Sequence, residues 1–158
     1  MKTIFDSCVP RPEVLKGDLR EDIFAARLKD VIDGKADDVY QKPVVFFDNT
    51  YPTEGLKLLL DEALGRVTGC KSANNAIIRL ETSFGGGKTH NLIALYHTAN
   101  GYNPGSSFVD PSLVPAKGAV RVIGVVGSDS SPRDGLDHHD SVTTYTLWGE
   151  LAYQLGAA

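Results

Sequence analysis

Cysteine is scarce in this chain: Cys8 and Cys70 are the two, far apart and in no C-x-x-C pair. Reduced thiols of a cytoplasmic protein are expected rather than a disulfide framework. Basic runs are missing as well. With 16 Lys and Arg against 20 Asp and Glu, a net charge of −4 and no Lys/Arg cluster, the chain offers no field for nucleic acid or an anionic membrane. No apolar run approaches the roughly 20 residues of a membrane-spanning helix. The N-terminal MKTIFDSCVPRP puts Asp6 and two prolines where a signal peptide needs an apolar core. A cytoplasmic location follows as the expectation, with no membrane and no direct nucleic-acid partner. Apolar content of 42% and charged content of 23% are ordinary, and 158 residues suit one globular unit.

What the sequence does have is the stretch from Ala76 to Tyr96, AIIRLETSFGGGKTHNLIALY. The apolar run Ala76, Ile77, Ile78 and Leu80 suits a short buried strand. Gly85-Gly86-Gly87 follows, and Lys88-Thr89 opens a segment of helical spacing through Leu92, Ile93, Leu95 and Tyr96. Strand, glycine turn, Lys-Thr and helix describe a phosphate-binding loop. Glycines let backbone N–H groups approach an anion, and the helix start adds unpaired N–H groups and the positive end of its dipole. Lys88 would reach the terminal phosphates of ATP, and the Thr89 hydroxyl would ligate Mg²⁺. The usual G-x-x-x-x-G-K-[ST] spacing calls for glycine at 82, where this chain has Thr82, preceded by Glu81.

Elsewhere the pattern is mostly helical. Asp18 is a fair N-cap for a stripe through Leu19, Ile23, Phe24, Leu28, Val31 and Ile32, stopped by Gly34. Val44 to Phe47 reads equally as a helical turn begun by Pro43 or as a strand. Thr53 caps a helix carrying Leu56, Leu59, Leu60, Ala63, Leu64 and Val67, with Gly69 as its stop. A Gly/Pro/Ser-rich loop, 101–118, leads to VRVIGVV at 120–126, which reads as a second buried strand, parallel to the first. Residues 127–140 are polar and acidic. Leu147, Trp148, Leu151, Ala152 and Leu155 mark a last helix beginning near Thr146, with Trp148 and Tyr153 expected in the core. A division into an N-terminal helical segment, 1–69, and the start of a nucleotide-binding domain, 70–158, is expected.

A complete site of this kind also needs an acid at a strand end to hold Mg²⁺ or its water. Asp129 is the candidate, although it lies past Gly127-Ser128 rather than on the strand. His138-His139-Asp140, with Asp134 and Asp137, invites a metal reading, yet lacks the i, i+4 histidine spacing and reads better as a solvated loop. His90 reads as a polar residue of the helix's first turn or as a phosphate sensor.

The segments FFDNTYPTEGLKLLLDEAL, AIIRLETSFGGGKTHNLIALYH, GVVGSD and TLWGELAYQL resemble the N-terminal end of a family of very large bacterial and archaeal P-loop ATPases. These are domain-of-unknown-function proteins, AAA-like in core and encoded beside DNA methylases and helicases in anti-phage islands. The resemblance implies an α/β P-loop fold with an incomplete parallel sheet and flanking helices. It implies Ser83, Phe84, Gly85, Gly86, Gly87, Lys88 and Thr89 as nucleotide-binding residues, and makes Thr82 part of the family's own loop. Partners would be ATP·Mg²⁺ and other defence proteins or the chain's own continuation, since family members run on for many hundreds of residues. It implies no catalytic base within these residues. The alternative is a non-enzymatic module with a weak or vestigial nucleotide site that docks on a partner.

Overall fold

The computed structural model describes residues 8–9, 12–17, 26–71, 75–81, 85–127, 131, 133–138 and 141–156. Helix α1 is Pro12–Lys16, closed by Gly17. Helix α2, Leu28–Ile32, is the described part of the stripe expected from Asp18, which itself lies outside these residues. Asp37 accepts a hydrogen bond from the Val39 amide and so caps α3, Asp38–Gln41. The ambiguous Val44–Phe47 run resolves as helix: α4 spans Pro43–Asp48 with the proline in its first turn, where no intrahelical N–H is needed.

Helix α5, Glu54–Val67, forms as its cap and stripe predict. The Thr53 hydroxyl accepts from the Leu56 amide at 3.3 Å, and Leu56, Leu59, Leu60 and Leu64 are buried. Val67, counted in the stripe, is exposed in the final turn. Helix α6, Lys88–Ala99, packs against α2, α4 and α5. A 3-10 turn, Pro111–Leu113, covers α5 from the loop side. The core joins Val31, Phe46, Phe47, Leu56, Leu60 and Leu64 to Ile93, Ala94, Phe108 and Leu113, drawing on both sides of the boundary expected at 69/70. Phe47 is its aromatic hinge, edge-on to Phe46 and Phe108 and stacked on Tyr102 at 5.4 Å.

Among the described residues the sheet is a single antiparallel pair, β1 (Leu136–Asp137), inside the polar stretch 127–140, and β2 (Thr143–Thr144), just beyond it. Residues 76–80 and 120–126, expected as strands, are not paired into a ladder. Apolar β-branched composition favours a pleated, half-buried surface, but a strand exists only where a neighbour takes its backbone groups. Ile77 is exposed. The 120–126 run instead lies against α2 and the last helix, α7 (Leu147–Gly156), where the Gln154 carboxamide both accepts from the Gly124 amide and donates to its carbonyl, at 3.1 and 3.0 Å. A Cβ at position 124 would meet Cδ1 of Ile32, so a side chain there would make the end of Ile32 shift.

His97 on α6 is buried and its Nε2–H donates to the Tyr40 carbonyl at 2.7 Å. Burial pushes its imidazole below the usual histidine value, against the raising effect of that hydrogen bond. The unfolded chain therefore takes up this proton first as pH falls. The stability this neutral group contributes is complete above the unfolded histidine value, about 6.5, and is lost below it, with a slope of at most about 1.4 kcal/mol per pH unit. Denaturant melts between pH 7.5 and 5 are expected to show this loss, and His97→Gln to remove its slope. An unchanged slope in the variant would show that the proton goes elsewhere.

Candidate functional site

The glycine loop ends in two left-handed residues, Gly85 (φ 78°) and Gly87 (φ 73°). Gly87 is the N-cap of α6, and its carbonyl takes the first helical bond, from Asn91, at 2.9 Å. The amides of Lys88, Thr89 and His90 thus belong to the helix start, which has no intrahelical acceptor to offer them. Among the described residues nothing approaches within 4 Å of where a Cβ would stand at Gly85 or Gly87. Lys88 and Thr89 are half-buried in the first turn, and Gly85 to Gly87 are exposed. Ser83, Phe84 and Asp129 lie outside the described residues, so five of the seven predicted nucleotide-binding residues are on view: the three glycines, the lysine and the threonine.

His90 anchors this helix start. The Thr50 hydroxyl gives its proton to the Phe46 carbonyl at 2.6 Å, so at 2.9 Å it receives one from His90 Nε2–H. The His90 ring also lies against Phe46 at 4.5 Å, and His97, two turns on, flanks the same ring at 5.4 Å. Sequence reasoning gave His90 no structural partner, because Thr50 stands 40 residues away.

A second polar centre lies at the other end of the chain. Glu150, on α7, is buried; its Oε2 accepts from the Thr144 hydroxyl at 2.6 Å and His138 Nε2 at 2.9 Å, and its Oε1 from Gln154 at 2.7 Å. Burial alone would raise its carboxyl, but donation by Gln154, Thr144 and His138 outweighs this and holds it below the usual carboxylate range. Tyr153 stacks on His138 at 3.7 Å. His138 is therefore a half-buried hydrogen-bonding partner and not a solvated loop residue. Among the described residues no three His, Cys, Asp or Glu side chains converge as metal ligands. An open cavity of about 690 Å³ borders this network, lined by Ile32, Val122 to Val126, Leu136 and His138, with Lys29 and Lys35 also in its wall. The buried Glu150 and the half-buried Gln154 in its wall hydrogen-bond to each other, to the hairpin and to Gly124.

The family model for the DUF499 N-terminal domain, a domain of unknown function, matches residues 5–157. The chain belongs to the DUF499 family. No curated protein and no solved structure matches it. The DUF499 match spans both the glycine loop and the Glu150 network, so each is part of one family domain. Among the described residues no helix is long and apolar enough to cross a membrane. Cys8 and Cys70 are exposed and unpaired.

Proposed function

We propose that this DUF499 domain binds ATP·Mg²⁺ through residues 83–89, as the N-terminal portion of an AAA-like P-loop ATPase of α/β architecture. The observation that carries the reading is the pair of open, left-handed glycines, Gly85 and Gly87, set directly before the α6 N-terminus. A cradle without Cβ atoms and a helix start are what a polyphosphate needs, so the residues on view fit the ligand. Lys88 addresses the terminal phosphates and Thr89 offers its hydroxyl to the cation. Bound Mg²⁺ would supply charge neutralisation on the phosphates. A role beside DNA-modifying enzymes in anti-phage defence, in the cytoplasm, rests on the family resemblance of the ETSFGGGKTH segment.

Titration calorimetry with ATP and AMP tests the site. ATP is expected to bind more tightly than AMP. Lys88→Ala should lower ATP affinity roughly ten- to hundred-fold, since a charge-assisted hydrogen bond contributes about 1.5–3 kcal/mol, and leave AMP nearly unaffected. Equal ATP affinities in the two proteins would remove the assignment.

A further inference from the structure

Helix α6 meets the core late. Its buried residues are Ile93, Ala94, His97, Thr98 and Ala99, so the first turn, with the amides of Lys88, Thr89 and His90, stands ahead of the packed part. Before that turn come Gly85 and Gly87, both left-handed, and glycines leave a loop many conformations. A side-chain tether reaches into this turn from a distant part of the chain. Thr50, half-buried, lies just past the end of α4 and joins two helix ends. Its hydroxyl accepts from His90 Nε2–H at 2.9 Å and donates to the Phe46 carbonyl, in the last turn of α4, at 2.6 Å. Donation runs one way along this chain, from ring to hydroxyl to carbonyl, so each bond polarises the next. Phe46 is 1% exposed and its ring lies against that of His90. The anchor is therefore part of the core, and the residue it holds carries the third amide of the helix start.

We infer that Thr50 is a positioning residue of the nucleotide site. Through His90 it holds the first turn of α6 in the orientation that points the amides of residues 88–90 at the phosphates. The inference rests on the ATP reading above. A glycine loop and helix start that wander bind only in the fraction of molecules correctly arranged, and apparent affinity falls by that fraction. The Thr50 hydroxyl raises the fraction by acting on His90. Valine has the branched shape of threonine without the hydroxyl, so Thr50→Val cuts the link and keeps the packing. Thr50→Ser keeps the link.

Calorimetric titration of the whole chain with ATP tests this. Thr50→Val should lose roughly three- to ten-fold in affinity, the net worth of one hydrogen bond, with a circular-dichroism melt within a few degrees of the parent. Thr50→Ser should stay within about two-fold of the parent, and in a His90→Ala background Thr50→Val should cost less than about two-fold more, because the link is already cut. A general loosening of the fold would instead lower affinity in both backgrounds. Unchanged affinity in Thr50→Val, no rescue by serine, or an equal loss in both backgrounds would overturn the inference and leave the glycine-loop site standing. Should Thr50→Val not fold, Thr50→Ala cuts the same link and is read the same way; if neither folds, Thr50 is a structural residue and the inference is wrong. A parent chain that binds no ATP would remove the underlying site, and the positioning role with it.

Discussion

Leu60→Asp is expected to leave no folded protein. Leu60 has no solvent exposure and lies in the cluster with Phe46, Leu56, Leu64 and Ile93. Truncating such a leucine to alanine costs about 2–5 kcal/mol through lost transfer energy and the cavity left behind. Aspartate adds the desolvation of an unpaired carboxylate, several kcal/mol more, against a total stability of roughly 5–15 kcal/mol for a domain. Leu58, two residues away on the same helix, is exposed. Leu58→Asp is therefore expected to melt within a few degrees of the parent by circular dichroism. A cooperative melt of Leu60→Asp near the parental temperature would mean that α5 does not pack as described.

Glu150→Ala is expected to cost about 3 kcal/mol, in the range for breaking a buried charged network. The loss is mainly the stranding of donors: His138, Thr144 and Gln154 all point at oxygens that would be gone. Glu150→Gln keeps the shape but turns an NH₂ toward Gln154 or toward the Thr144–His138 pair, groups that would have to switch from donating to accepting, so about 2 kcal/mol is expected there. The pH dependence has a definite sign. Because the folded carboxyl is held below its usual range, its contribution is whole above the unfolded value, about 4.3, and is lost as pH falls toward the folded one. Denaturant melts of Glu150→Ala should lack this acid loss. If the variant melts like the parent at pH 7, the network does not hold α7.

The pattern of α5 was legible because everything that makes it is local: a threonine cap, a leucine stripe and a glycine stop, all between Thr53 and Gly69. The same holds for α6, where the glycines and the Lys-Thr start announce themselves. Helix α7 was found from its periodicity but turned the wrong way round: Trp148, expected in the core, is 77% exposed, and Glu150 is buried. Periodicity says which residues share a face and cannot say which face is buried; here that is decided by His138, Thr144 and Gly124, up to 30 residues away. VRVIGVV has strand composition, yet among the described residues its contacts come from Ile32 and Gln154 and not from a neighbouring strand. In the candidate nucleotide site Gly85, Gly87, Lys88 and Thr89 were all named from sequence. The bond between His90 and Thr50 was not, since a 40-residue separation leaves no local trace.

The attachments of α7 also bear on how the chain comes apart. Thr144, His138 and Gln154 reach Glu150 across only 4 to 12 residues, whereas among the described residues hydrogen bonds to the remainder include Gln154 on Gly124 and the Arg121 guanidinium on the Leu155 carbonyl. The aromatic and aliphatic core is built from residues up to Leu113, with Val122 packed on its edge. Among the described residues, 136–138 and 141–156 thus form a unit of short-range hydrogen bonds beside the larger core. Such a unit opens sub-globally, at a lower free energy than the core, and closes again without the core having moved.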